Sequence, residues 1–174
     1  MRGLTLALCL VAATAAAQQP VPTTPESARA ESTPPPAPPT PEQARFLQGL
    51  RTAGRGIAQL KDAVSRVSTA GRDSLRLKQA ARRLAGLCDT ARGFMTTGRA
   101  KMQAVAYEDS TRIKARRLAA QIDSLVRFIP RCETNAVRRP DSTSVELVNR
   151  IRAYEAALRE FRAAIGWPGS VTKP

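Results

Sequence analysis

The chain has 174 residues, with 28 Lys and Arg against 14 Asp and Glu, a formal charge of +14 and no histidine. Without histidine the commonest general base, the usual metal ligand and the axial ligand of most haem bundles are all missing. A hydrophobic fraction of 43%, only 4% aromatic residues, abundant Ala, Leu and Arg, and little strand alternation fit a globular helical domain.

The first 17 residues read as a secretory signal. Arg2 supplies the positive start, Leu4 to Thr14 is an unbroken run of mostly Leu, Ala and Val, and Ala15-Ala16-Ala17 gives the small-x-small cleavage pattern. From Leu4 to Ala17 there are 14 residues, short of the ~18–20 that a membrane-spanning helix needs. Cleavage near Ala17 is therefore expected, not anchoring. Cys9 is not expected to be lipidated, because Leu8 stands where a lipoprotein box carries Gly or Ala. Removing the signal deletes Cys9 and Arg2, leaving two cysteines, Cys88 and Cys132, and a formal charge of +13. No later segment is apolar enough to cross a membrane, so the mature chain is expected to be extracytoplasmic, periplasmic or secreted.

Residues 18–40 form a Pro-rich linker. The stretch from 18 to 41 holds nine of the thirteen prolines. Proline has no N–H and biases the residue before it away from helix. The linker is expected to be disordered or extended polyproline II, reaching up to about 70 Å at roughly 3.1 Å per residue. A helical domain is expected over 41–167, with a flexible tail at 168–174.

The domain opens on Thr40-Pro41-Glu42-Gln43, which offers a hydroxyl N-cap, Pro at the first helical position and a Gln able to close a capping box. Phe46, Leu50, Ala53, Ile57, Leu60, Val64 and Val67 then recur in steps of four and three, one stripe on a first helix. Gly49, Gly54 and Gly56 are expected to weaken it by about 1 kcal/mol each. Gly71 is a stop signal, and Asp73 or Ser74 the next cap. A second stripe runs through Leu77, Ala81, Leu84, Cys88, Ala91, Met95, Gly98, Met102 and Val105, with a potential break at Thr97-Gly98.

Tyr107 to Thr111 interrupts that rhythm, and Glu108 and Asp109 are expected to cap a third helix. Its stripe is Ala115, Leu118, Ile122, Leu125 and Ile129, and one further step of three reaches Cys132. Pro130 is expected to end this helix, leaving Cys132 just past the last turn. Thr143 and Glu146 suggest a capping box for a fourth helix carrying Leu147, Ile151, Tyr154, Leu158, Phe161 and Ile165, terminated at Gly166. The expected fold is all-α: an antiparallel up-down bundle of about four amphipathic helices.

Cys88 and Cys132 lie equally far on either side of Ser110. In a helical hairpin turning there, they sit about 25 and 29 Å from the turn at 1.5 Å per residue, so the sulfurs meet at nearly one height. An even thiol count in an exported chain favours a disulfide between them.

Motifs for catalysis, metals or cofactors do not stand out. No Cys-x-x-Cys pair or Gly-x-Ser-x-Gly elbow is present. Met95 and Met102 share a seam, where packing accounts for them better than copper. Glu155 and Glu160, amid Arg152, Arg159 and Arg162, read as solvated ion pairs. No cofactor is expected.

The positive charge is the remaining hint. Arg72, Arg76, Lys78, Arg82, Arg83, Arg92, Arg99 and Lys101 crowd the second helix and avoid its seam. Such a face attracts polyanions. Against this, the 23 Arg and 5 Lys of the chain also fit a general Arg-Ala bias in composition. The leading expectation is an exported, non-catalytic binding or interaction module of the cell envelope. Its partner is either another protein or an anionic envelope component: a lipid headgroup, lipopolysaccharide or wall polymer held by the basic face. Nucleic acid is disfavoured by the lack of aromatic stacking platforms. An enzyme working with carboxylates and arginines alone is the third class.

Overall fold

In the computed structural model, residues 38–167 are described. The expected signal segment 1–17, the linker up to residue 37 and the tail 168–174 lie outside them. Four helices follow in order: α1 (Pro41–Ala70), α2 (Ser74–Ala100), α3 (Asp109–Asn135) and α4 (Pro140–Ala164), with a short 3-10 turn (Ala104–Ala106) between α2 and α3. Among the described residues there are no strands.

The first helix starts as its residues require. Thr40 Oγ1 accepts from the Gln43 N–H at 3.3 Å, and Gln43 Oε1 accepts from the Thr40 N–H at 3.1 Å, closing the capping box. Every member of its expected stripe, Phe46 through Val67, is buried. Gly71 takes φ 59°, the left-handed conformation that ends α1. Asp73 then caps α2, its carboxylate accepting from the N–H groups of Leu75 and Arg76 at 3.0 and 3.1 Å.

The helices bury one continuous core. It includes Leu60 of α1, Leu84 and Met95 of α2, Leu118 and Ile122 of α3, and Leu147 of α4. α1 packs against α2, α2 against α3, α3 against α4, and α4 against α1. At one end Phe46 of α1, Tyr107 and Phe161 of α4 form an aromatic triangle, with ring centroids 5.2 Å apart on each side. Gln43 Nε2 donates to the Ala106 carbonyl beside it, at 3.2 Å. At the other end Val67 and Ser68 of α1 line one cleft with Ser144 and Val145 of α4.

The α1–α2 contact reverses one expectation. Gly49 and Gly56 are not weak points tolerated by the helix; they are where α2 comes closest. A Cβ on Gly98 would lie 2.5 Å from both the Gly49 carbonyl oxygen and the Ala53 nitrogen, and one on Gly56 would lie 2.7 Å from the Ala91 carbonyl oxygen. The two backbones touch where side chains are missing. Gly54 is different: its nearest neighbour is the Tyr154 hydroxyl at 3.8 Å.

Three helix boundaries differ from those read off the sequence. α2 does not break at Thr97-Gly98, because Gly98 is seated against α1. It ends at Ala100 rather than near Val105, where Lys101 and Met102 donate three residues back, to Gly98 and Arg99 at 3.1 and 3.0 Å. The tighter turn keeps Met102 in the core but swings Val105 outward, leaving it 71% exposed.

α3 does not end at Pro130; it continues to Asn135, so Cys132 lies within the helix. Pro130 has no N–H for the carbonyl four residues before it. Beyond it, burial of Ile129, Cys132 and Ala136 holds the last turns in helical register, and the Thr134 hydroxyl donates to the Pro130 carbonyl at 3.1 Å. Pro130 itself is exposed. Pro130→Ala, which restores a backbone donor at no packing cost, is expected to raise unfolding stability by about 1–3 kcal/mol in urea titration.

α4 begins at Pro140, not Thr143. Arg139 occupies the cap position without a side-chain bond, and Pro140 presets the first helical φ. Thr143 is consequently buried within the helix instead of capping it, and Glu146 pairs with Arg150 at 2.7 Å. Nor does Glu108 cap α3 through its side chain; Asp109 sits in the first turn and pairs with Arg112 at 3.3 Å. The carboxylates of α4 reach other helices, Glu155 to Lys61 of α1 at 2.6 Å and Glu160 to Arg117 of α3 at 2.9 Å. Among the α4 positions, Leu158 and Ile165 are half-buried, and Ala157 takes the core position between Tyr154 and Phe161.

Candidate anion-binding site

Cys88 and Cys132 are both completely buried, on the facing seams of α2 and α3, and form a disulfide pair with Cα atoms 6.3 Å apart. The bond ties α2 to α3 near the level where Arg92 reaches Glu133 at 3.8 Å. It holds α2 against α3 and takes no part in the basic surface.

The eight basic residues expected on the second helix do not form one face; Arg72 and Lys101 lie just outside α2. Arg92 and Arg99 lean towards α3 and are neutralised there, Arg99 by Asp123 at 3.0 Å. Lys101 is half-buried against Gly49 of α1. Arg72, Lys78 and Arg82 are exposed, and among the described residues no carboxylate lies within ion-pair distance of them. Arg76 and Arg83 lean the other way, towards α1, where with Arg66, Thr69, Ala70, Gln79 and Ala80 they line an open cleft of about 440 Å³.

Two acids temper that cleft. Arg76 pairs with Asp73 at 3.2 Å, and Arg66 with Asp62 at 2.9 Å. The hydrogen bond from Arg66 holds the Asp62 carboxyl below its ordinary range, helped by the charges of Arg66 and Arg83, while burial opposes the shift. The same bond raises the Arg66 guanidinium. Arg83 is exposed and has no ion-pair partner of its own among the described residues. Chemically the cleft offers three planar guanidinium forks, suited to multidentate capture of phosphate or carboxylate groups.

Arg66 was absent from the residues singled out in the sequence. It lies on the first helix, outside the basic run of the second, and only the pairing of α1 with α2 brings it beside Arg76 and Arg83. The Asp62–Arg66 spacing of four marks it as a surface pair and says nothing of α2. Both tyrosines of the chain lie away from that cleft. Burial pushes Tyr107 up to about 12 and, with Glu155 adding and Arg162 opposing, Tyr154 up to about 12, so neither supplies a phenolate near neutral pH.

Among the described residues, no group of three or more His, Cys, Asp or Glu is placed to hold a metal ion, and no helix is long and apolar enough to cross a membrane. The chain matches no family model, no curated protein and no solved structure.

Proposed function

We propose that this chain is an exported, non-catalytic binding module of the cell envelope, an antiparallel up-down four-helix bundle preceded in sequence by a Pro-rich segment. The module captures anionic envelope components in the α1–α2 cleft. The observation that carries this reading is the convergence of Arg66, Arg76 and Arg83, from two helices, on one open cleft of about 440 Å³. Up-down topology is supported by the cyclic packing of neighbouring helices. It is supported also by the end-to-end contacts, the start of α1 beside the end of α4 and the end of α1 beside the start of α4. Export is supported by the apolar run before Ala17 and by the disulfide pair, since such bonds persist in oxidising compartments.

The mechanism is electrostatic. Each arginine brought to an anionic surface contributes about 1 kcal/mol, falling off within a Debye length. Changing Arg66, Arg76 and Arg83 together to Ala is therefore expected to weaken binding to phosphatidylglycerol vesicles or to lipopolysaccharide by roughly a hundredfold, with far-UV helicity unchanged. Binding should also fall steeply as salt is raised. Wild-type affinity in the triple variant, or affinity that survives high salt, would sink this reading.

A further inference from the structure

A second arginine cluster lies between α3 and α4, away from the basic run of α2. Arg127 and Arg131, one turn apart on α3, line a cleft of about 480 Å³ together with Ser124, Phe128 and Arg150. Arg150 is held from three sides. Its Nη1 donates to Ser124 Oγ at 2.9 Å, its Nη2 to Glu146 Oε1 at 2.7 Å, and its guanidinium carbon sits 4.7 Å from the centre of the Phe128 ring. Its Nε–H is buried with no acceptor. Arg127 and Arg131 are exposed, and among the described residues no carboxylate lies within ion-pair distance of either.

This arrangement differs from the α1–α2 cleft in the way that matters for a ligand. There, two of the three arginines already hold Asp62 and Asp73. Here Glu146 answers only Arg150, which leaves the charges of Arg127 and Arg131 uncompensated. A singly charged carboxylate would neutralise half of that excess. A phosphate monoester, with close to two negative charges and three acceptor oxygens, matches it in both charge and number of donors. Because Arg150 is already oriented, less side-chain freedom is lost on binding. A cleft of this size also exceeds what a bare phosphate fills, since volumes of roughly 300–1,000 Å³ hold small organic molecules.

We propose that the α3–α4 cleft binds a phosphate monoester carried on a sugar-sized body, independently of the α1–α2 cleft. Arg127 and Arg131 clamp the phosphate oxygens, and Arg150 forms the fixed wall. The phosphate can come from a soluble sugar phosphate or from a lipid headgroup, and the two are separated by the probes below.

The test uses calorimetric titration of the full mature chain with glucose 6-phosphate, and vesicle co-sedimentation with phosphatidic acid in phosphatidylcholine. R127A/R131A is compared with R51A/R55A, an equal loss of charge on α1, all four side chains being on the surface. The expected result is at least a tenfold loss of affinity in R127A/R131A for whichever probe binds the wild type, with R51A/R55A close to wild type for glucose 6-phosphate. Binding of the sugar phosphate identifies a soluble ligand; binding of the vesicles alone identifies a headgroup. Affinity should drop as the pH falls below about 6, where the phosphate takes up its second proton while the arginines stay charged. Equal binding by R127A/R131A and wild type, no binding of either probe to the wild type, or affinity independent of pH would each overturn the proposal. Failure of the α1–α2 reading appears instead in the triple variant of Arg66, Arg76 and Arg83 with phosphatidylglycerol, so the two outcomes are distinct.

Discussion

Gly98→Ala is expected to destabilise the bundle by about 3 kcal/mol, although alanine is the better helix former by about 1 kcal/mol. The new methyl group would meet the Gly49 carbonyl oxygen and the Ala53 nitrogen, both at 2.5 Å. Those are backbone atoms of a second helix and cannot rotate aside, so α1 and α2 must separate and loosen the packing along the whole contact. Gly56→Ala, facing the Ala91 carbonyl at 2.7 Å, is expected to act in the same direction. Combining Gly98→Ala with Gly49→Ala should cost less than the two effects added, because one displacement of the helices relieves both clashes.

The controls lie on the same helix. A Cβ at Gly86 or Gly93 meets nothing within 4 Å, so alanine there is expected to raise stability by about 1 kcal/mol through helix propensity alone. Urea titrations of these variants decide the matter. If Gly98→Ala stabilises the fold as Gly86→Ala does, the close approach of α1 and α2 is wrong.

Replacing Cys88 and Cys132 together by Ala is expected to cost about 4 kcal/mol. The two residues are 44 apart in sequence. A cross-link closing a loop of that length removes roughly this much freedom from the unfolded chain in the chain-entropy model. That is a large part of the roughly 5–15 kcal/mol by which typical domains are stable. The helices themselves should persist in the variant, since their stripes and caps do not depend on sulfur. Because both cysteines are completely buried, the folded protein should resist added reductant until denaturant opens α2 from α3. Free thiols in the folded, exported protein on peptide mapping without reductant would contradict the pairing, and an unchanged urea midpoint in the variant would contradict its stabilising role.

Local chemistry was legible wherever it depended on neighbours in the chain. The Thr40–Gln43 box, the Asp73 cap and the stops at Gly71 and Gly166 rest on side chains or backbone freedom within a few residues, and all four are present. Pro130 misled because the rule for proline weighs one lost hydrogen bond and a ring clash. It does not weigh the buried Ile129, Cys132 and Ala136 that carry α3 onward. Thr143 and Glu146 had the right spacing for a cap, but Pro140 set the helical φ a turn earlier. Val105 continued a perfect stripe on paper until the 3-10 turn changed the period beneath it.

The sequence by itself determined an all-helical domain of about four amphipathic helices, most of the positions that they bury, and that Cys88 and Cys132 share a level. These follow from a repeat of 3.6 residues and a rise of 1.5 Å per residue, properties of each helix alone. Tertiary structure decided which glycines touch a neighbouring backbone, which arginines meet carboxylates, and that Arg66 joins Arg76 and Arg83 while Arg127 and Arg131 join Arg150. Those are properties of pairs of helices. How closely two helices approach, and which flank each turns to the other, depends on all the side chains between them, and no periodicity along one strand of sequence encodes it.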